Sequence, residues 1–309
     1  MSGSNEEMLF GCLDSLHSTL KGSRYSWSVT VTCNDSGTGL AGRVRARYPD
    51  VTVMQNEKPL GFAANHNRVL RSSRARFVWL LGDDLVILPG AIQGVTEFMN
   101  RPGSSRVGVV SPKLQNPDGS LQPSTHRFPS MPEMLFGHSE LPELLAGRRI
   151  LKTFGHQARS GNGSSDFLKH DGPAEVDTLD GSCVALRMKA VRQVGPMVEA
   201  ANTGGEETEW HRRFKEQGWK VVYFADASVI HYGSQTGRDR SRNLNPAYLK
   251  GALFFFKTGS SPVTYGLFCA MLTGISVMRA AYALAAGHTS GVNAAKRYAA
   301  VAWSGLRRA

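Results

Sequence analysis

Apolar residues recur along this chain in two rhythms, and the two alternate. Leu9, Leu13, Leu16 and Leu20 stand at helical spacing behind Ser4-Asn5-Glu6-Glu7, a capping-box pattern, so the first predicted element is a helix. Trp27, Val29, Val31 and Cys33 alternate as a strand does. Asn34 to Gly39 reads as a loop, Arg43 to Tyr48 as a short helix stopped by Pro49, and Val51 to Met54 as a strand. Gly61 to Arg71 has helical spacing, and Arg76 to Leu81 is a strand. Pro89-Gly90-Ala91 opens another helix, with proline where its missing N–H matters least. Val107 to Val110 is a further strand. This β-α-β-α alternation predicts an α/β fold with a parallel sheet flanked by helices.

The segment from Ser111 to Pro173 breaks the rhythm. It is rich in Gly, Pro, Ser and His and includes Arg148-Arg149. A long excursion of that kind is usually functional or disordered, and residues 137–173 are the expected acceptor-selecting part. Order returns at Val176. Ser182 to Leu186 reads as a strand, Lys189 to Val194 and Glu206 to Gln217 as helices, and Lys220 to Phe224 and Ser228 to His231 as two strands. Beyond Gly237 the composition turns basic and then strongly apolar, placing a boundary near Arg240. Residues 1–240 form the expected main domain and 241–309 a helical appendage.

Within that pattern one run stands out: Phe77-Val78-Trp79-Leu80-Leu81-Gly82-Asp83-Asp84. Five apolar residues predict a buried strand. The two carboxylates at its C-terminal end lie where open α/β sheets bind ligands. Carboxylate oxygens hold hard divalent cations, which hold diphosphates. Gly-Asp-Asp also makes a good turn, so this run alone admits both roles.

Composition bounds the rest. The chain has 309 residues, 41% hydrophobic and 20% charged, ordinary for a folded protein, but its formal net charge is +11. Such a balance attracts nucleic acids, anionic headgroups or nucleotide diphosphates. There is no zinc-finger spacing, no RNP-type aromatic motif and no block of consecutive Lys or Arg, which disfavours nucleic acid. Four separated cysteines, Cys12, Cys33, Cys183 and Cys269, form no C-x-x-C pair and suit buried free thiols in a reducing compartment. The start is polar and acidic rather than a signal peptide. Pro262 to Met278 carries no charge but contains Gly266 and Gly274 and is short for a span. A helix at a membrane interface, or one docked on the protein itself, fits it better.

A second acidic cluster, Gly205-Glu206-Glu207-Thr208-Glu209, puts three carboxylates in the first turn of a helix, where they also complement the helix dipole. Val229-Ile230-His231 ends a strand on a histidine, which suits either a satisfied edge residue or a neutral imidazole ligand. The order of motifs is more telling than any one of them. Leu60-Gly61-Phe62-Ala63-Ala64-Asn65-His66-Asn67 comes first, then Leu80-Leu81-Gly82-Asp83-Asp84. Ser111-Pro112-Lys113-Leu114, Asp118-Gly119 and Gln122 follow, then Leu179-Asp180-Gly181-Ser182-Cys183-Val184-Ala185-Leu186-Arg187. The acidic cluster, Gly218-Trp219-Lys220-Val221 and Val229-Ile230-His231 complete the series. Over residues 9–235 this succession resembles the family 2 glycosyltransferases, most nearly their rhamnosyltransferase-like branch.

The resemblance implies a GT-A (Rossmann-like) fold: a mixed, mostly parallel sheet flanked by helices, with a C-terminal helical appendage. It implies an inverting enzyme moving a sugar from a nucleotide-diphosphate sugar to a saccharide or polyprenyl-linked saccharide, in cell-surface polysaccharide synthesis. Asp84 and His231 match residues that reach a divalent cation, Mg or Mn, and Asp83 sits at a variable position of the same signature. Glu207 matches the general base and Glu206 the acid beside it. Asn34, Asp35, Gly61, Phe62 and Asn67 fall in segments that shape the donor and nucleotide site. Gly181, Glu209 and Arg213 fall on the acceptor side. The expected setting is cytoplasmic, at the inner face of the cell membrane, with peripheral membrane contact and no nucleic acid. Three departures stand out. The family's first strand is missing before the first helix, Glu replaces Asp at 207, and Gly82 replaces a polar residue. The absent strand fits either a sequence read short of a longer gene or a degenerate member, and the latter keeps a second expectation open, a non-catalytic binding module at the membrane. A nucleotidyltransferase is a third, disfavoured by the acidic cluster and His231.

Overall fold

The computed structural model describes residues 6–34, 37–136, 172–199, 204–233, 246–285, 287 and 289–306. It divides into two compact units. The first comprises residues 6–126, 172–199 and 210–233, and the second comprises 127–136, 204–209 and the described part of 246–306. The N-terminal predictions hold closely. Helix α1 is Glu6–Leu20, and it buries Leu9, Cys12, Leu13, Leu16 and Leu20. Then come β1 (Thr30–Cys33), α2 (Leu40–Arg47), β2 (Thr52–Gln55), α3 (Phe62–Ser72), β3 (Phe77–Leu81), β4 (Leu85–Ile87) and α4 (Ala91–Asn100). β5 (Val107–Gln115) extends well past the predicted Val110 and is followed by the short strands β6 (Leu121–Gln122) and β7 (Thr125–His126). β8 (Ala174–Glu175), β9 (Thr178–Leu179), β10 (Cys183–Arg187), α6 (Met188–Val194), α7 (Glu206–Glu216) and β11 (Lys220–His231) follow.

The main sheet has the order β3-β10-β5-β11-β4, with β6 on β5 and β8 on β11. It is mixed. β5 and β11 are parallel, while β10 lies antiparallel between β3 and β5, and β4 is antiparallel to β11. β1 and β2 form a separate parallel pair. Alternation along the strands sorts the core onto two faces. Val184 and Leu186 of β10 join Val109, Val221, Tyr223, Trp210 and Phe214 on one side. Cys183 and Ala185 join Val110, Val222, Phe224, Leu16, Val95 and Met99 on the other. All five β10 residues are buried, as a strand covered on both faces requires. A Cβ on Gly108 would lie 2.8 Å from the Phe214 ring, so glycine there makes the seat for Phe214.

Two strand expectations are corrected. Lys220–Phe224 and Ser228–His231 are one continuous strand, with the register against β5 shifting between Phe224 and Ser228. Ala225-Asp226-Ala227 is a bulge that keeps pairing alive on both sides. β4, not anticipated, pairs Leu85 with His231.

In the second unit α5 (Met131–Phe136), α8 (Pro246–Gly259), α9 (Pro262–Ala285) and α10 (Thr289–Leu306) enclose Met134, Leu135, Leu249, Leu253, Phe256, Phe268, Leu272, Tyr298 and Ala302. α9 runs to Ala285, past the predicted Met278, and its 24 residues are long and apolar enough to cross a membrane. Arg279 donates to Leu135 O at 2.9 Å from the buried side of α9. The capping residues Ser4 and Asn5, the stretch 137–171, the expected boundary near Arg240, and Arg307-Arg308 lie outside the described residues.

Candidate functional site

β3 ends at Leu81 and the chain turns through Gly82-Asp83-Asp84 into β4. Gly82 N donates to Ser182 O at 2.7 Å and Tyr232 N to Asp84 O at 2.9 Å, so both ends of the turn are tied to neighbouring strands. A Cβ at Gly82 would lie 2.7 Å from Asp84 Oδ1. Glycine at 82, a departure in sequence, is thus what lets the Asp84 carboxylate fold back over the strand end. Beneath the turn, Cys12 Sγ approaches Gly82 O at 3.5 Å. Burial, with the Asp83 and Asp84 charges adding to it, pushes the Cys12 thiol up to about 12, so it stays a neutral packing residue. All four cysteines are free and buried.

Register then delivers the histidine. Because His231 pairs with Leu85, its ring comes next to Asp84, with Nε2 3.3 Å from Oδ2. The His231 hydrogen bond holds the Asp84 carboxyl below the usual carboxylate range, against the opposing effect of burial. The ring's other nitrogen, Nδ1, lies 2.6 Å from Gln122 Oε1 on β6. At Gly233, with φ +33°, a Cβ would sit 2.9 Å from both Nδ1 and Cε1 of His231, so backbone closes directly over the ring. Gln122 carried no role in the sequence. Its motif was visible, but only the β5–β6 hairpin, pairing Leu114 with Gln122, shows what it faces.

These residues fit a divalent cation. A carboxylate oxygen and an imidazole nitrogen meet at one point, Asp84 Oδ2 and His231 Nε2 lying 3.3 Å apart. Among the described residues no group of three or more His, Cys, Asp or Glu is gathered for an ion. Two protein donors suffice where diphosphate and water oxygens complete the shell. Imidazole among them suits Mn better than Mg.

The other expected residues divide. Asp83 shares the turn with Asp84. Asn34 is engaged in a bracket: its Nδ2 donates to Leu60 O at 2.9 Å, while Oδ1 accepts from Asn56 Nδ2 at 2.7 Å and Leu60 N at 3.0 Å. It shapes the loop leading to Gly61, which precedes α3, rather than offering a spare amide. Asp35 lies outside the described residues. Phe62 is 39% exposed at the start of α3, with its ring against His66 at 4.3 Å, and offers a flat apolar face. Asn67 is fully buried, donating to Met197 O and Glu199 Oε1 and accepting from Met197 N. The structure makes it a tie between α3 and the chain at 197–199. Gly181 lies in the turn before β10, beside Asp180, whose Oδ1 is 2.9 Å from His126 Nε2. Arg213 donates to Val194 O and Pro196 O, closing the C-terminal end of α6.

Glu206, Glu207 and Glu209 stand in the first turn of α7. Glu206 and Glu209 are 4% and 2% exposed, while Glu207 is half-buried. These three belong to the second unit and Asp84 and His231 to the first. A separate cavity of about 340 Å³ is lined by Arg76, Arg101, Arg187, Lys189 and Arg192. Arg187 pairs with Phe77, so this cavity lies at the far end of β3 from Asp84 and is not part of the carboxylate–imidazole site.

A mixed α/β sheet flanked by helices, with a carboxylate at a strand end, defines the class, a GT-A glycosyltransferase. Residues 5–250 match the family described as "Glycosyltransferase like family 2", and the chain belongs to that family. It is 29% identical over 233 residues to the N-acetylglucosaminyl-diphospho-decaprenol L-rhamnosyltransferase of Mycobacterium tuberculosis (strain CDC 1551 / Oshkosh), covering 70% of each chain. The protein of the same name in strain H37Rv matches equally. Among solved structures, the mannosyltransferase PcManGT of Pyrobaculum calidifontis, in complex with GDP-Man and Mn2+, superposes with a TM-score of 0.55. That match covers 97% of this chain and 84% of the other at 13% identity, and so bears on the fold alone.

Proposed function

We propose that this glycosyltransferase moves a sugar, of the rhamnose type, from a nucleotide-diphosphate donor to a polyprenyl-linked saccharide, with inversion at the anomeric carbon. The observation that carries it is the Asp84–His231 pair at the end of β3, in a chain 29% identical to an N-acetylglucosaminyl-diphospho-decaprenol L-rhamnosyltransferase. A divalent cation held by Asp84 and His231 would supply charge neutralisation for the departing diphosphate. Glu207 takes the proton of the acceptor hydroxyl. That oxygen then bonds to the anomeric carbon from the face opposite the diphosphate. The carbon–oxygen bond to the diphosphate breaks, and its electron pair leaves with the nucleotide. Phe62 offers its exposed ring to the donor's base or sugar, and Asp83 supports the cation-bearing turn.

The test is sugar transfer to a synthetic polyprenyl-diphosphate-linked N-acetylglucosamine, with product anomer read by NMR. Glu207→Gln is expected to lower kcat by about 10²–10⁴-fold, the usual worth of a general base, and to leave nucleotide binding intact. Transfer unchanged in Glu207→Gln would remove that residue from the role. A product that retains the donor's anomeric configuration would refute inversion.

A further inference from the structure

β10 runs antiparallel to both β3 and β5, so its last residue lies beside the first residues of the other two. Arg187 pairs with Phe77, and its Nε donates to Val107 O at 2.8 Å. The same guanidinium donates through Nη2 to Met99 O at 2.7 Å and to Ser104 O at 2.9 Å. Met188 N donates to Arg76 O at 3.0 Å, which pins the residue before β3 against the start of α6. Cations from three parts of the chain therefore meet at one end of the sheet. Arg76 comes before β3, Arg101 after α4, and Arg187, Lys189 and Arg192 from the end of β10 and from α6. Together they line the cavity of about 340 Å³ at the end of β3 remote from Asp84.

Positive charge accumulates there without compensation. Elsewhere on the surface arginines pair: Arg24 with Glu97, Arg43 with Glu6, Arg47 with Asp14 and Arg71 with Glu199. The five cations around the cavity form no ion pair among the described residues, and no carboxylate lines it. Arg187 is only 7% exposed, so a whole charge is buried against carbonyl dipoles alone, a costly arrangement without a counter-charge. Its guanidinium and that of Arg76 each stand 5.2 Å from the centre of the Phe77 ring, so two like charges share one ring. Burial pushes the Arg187 pKa down, and the Arg76 charge adds to that. With Nε and Nη2 occupied by carbonyls, Nη1 carries no hydrogen bond among the described residues and is not sealed from solvent. Arg76, Arg101, Lys189 and Arg192 are exposed, and so form a rim around this buried floor. Guanidinium forks match phosphate oxygens, and several cations call for a ligand of more than one negative charge. The volume lies at the small end of ligand sites, which suits a compact anion.

We propose that this cavity is a second anion site, separate from the carboxylate–imidazole site. It binds a phosphate group bearing two or more negative charges, as a soluble diphosphate or as the phosphomonoester head of a lipid. Arg187 supplies the floor through Nη1, and the exposed cations close around the anion. Binding neutralises the buried charge and relieves the repulsion between Arg187 and Arg76. Because Arg187 ties together the end of α4 and the start of β5, the bound anion stabilises the fold by mass action. Nothing in this depends on Asp84, His231 or the sugar-transfer reading.

Inorganic pyrophosphate, titrated by calorimetry with EDTA present, is expected to bind wild type and Asp84→Asn alike. Lys189→Gln and Arg192→Gln remove exposed cations and leave the fold in place. Each should weaken binding by about tenfold or more, the worth of one hydrogen bond between charged groups. Arg47→Gln removes the same charge from α2, away from the cavity, and should leave binding unchanged. The thermal unfolding midpoint should rise with pyrophosphate in wild type and Arg47→Gln, and rise less in Arg192→Gln. Flotation with vesicles containing phosphatidic acid, against vesicles containing phosphatidylglycerol, separates the two sources. Pyrophosphate binding that follows this pattern assigns the site to a soluble ligand. A preference for phosphatidic acid that Arg192→Gln abolishes, without pyrophosphate binding, assigns it to a lipid head. The proposal is overturned if neither is seen, or if Arg47→Gln weakens binding as much as Arg192→Gln does. Pyrophosphate binding that Asp84→Asn abolishes also overturns it, by placing the anion at the other end of β3.

Discussion

His211 shows what burial does to one titratable group. Its Nδ1 accepts from Thr178 Oγ1 at 2.8 Å and lies 3.4 Å from Leu179 N, and burial pushes its pKa down to about 3 from the ordinary 6.5. The unfolded chain therefore takes up the proton first as pH falls. The stability this residue confers is complete above about pH 6.5 and is lost toward pH 3, at ~1.4 kcal/mol per unit. Urea unfolding at pH 7.5 and pH 5 should show the loss, and His211→Gln should show a smaller pH dependence. An equal dependence in both would refute it. At the functional turn, Gly82→Ala should displace the Asp84 carboxylate and weaken Mn2+ binding about tenfold, roughly the effect of one misplaced ligand partner, with the unfolding midpoint little changed. EPR titration against urea unfolding separates the two effects. Asp84 and His231 could be singled out because each closes a predicted strand, whereas the register that brings them together could not be read. The backbone partners of Asn34 and Asn67 could not be read either, since an asparagine that grips backbone and one that grips a ligand look alike until its partners are placed.

Elements set where these residues can act. Gly204 and Gly205, at φ +72° and +86°, lead into α7, and a Cβ on Gly205 would lie 3.0 Å from Gly251 Cα on α8. Backbone meets backbone there, and the glycines that permit it sit just before Glu206, Glu207 and Glu209. Gly251→Ala, whose Cβ would fall 2.9 Å from Gly204 O, should destabilise the protein by about 1–3 kcal/mol, the usual effect of overpacking. It should also reduce transfer more than donor binding. Denaturant midpoints and a kcat-against-KM comparison test this, and an unchanged midpoint would contradict it. The long strand β11 was read as two because Ala225-Asp226-Ala227 interrupts its apolar pattern, and a bulge leaves that same mark. β4 escaped because three residues between Asp-Asp and Pro-Gly carry too little periodicity. The antiparallel setting of β10 escaped because strand direction is fixed by pairing partners far away in sequence, here Leu81 with Cys183.

At the scale of the molecule, the formal net charge is +11, and one helix carries an exposed apolar face. On α9, Val263, Leu267, Met271, Met278 and Tyr282 are exposed at spacings that share one side, while Phe268, Cys269 and Leu272 are buried on the other. The expected occupant of that face is an anionic bilayer. Leu267→Glu with Met271→Glu should cut flotation with phosphatidylglycerol vesicles by tenfold or more, since each buried large apolar side chain contributes about 1.5–3 kcal/mol. Undiminished flotation would refute that contact. The central claim concerns the end of β3 and is tested most directly by calorimetry of UDP, GDP and dTDP binding, with Mn2+ and with EDTA, to wild type and Asp84→Asn. One nucleotide should bind wild type only when Mn2+ is present and bind Asp84→Asn at least tenfold more weakly. Equal binding in EDTA and Mn2+, unaffected by Asp84→Asn, would contradict the account.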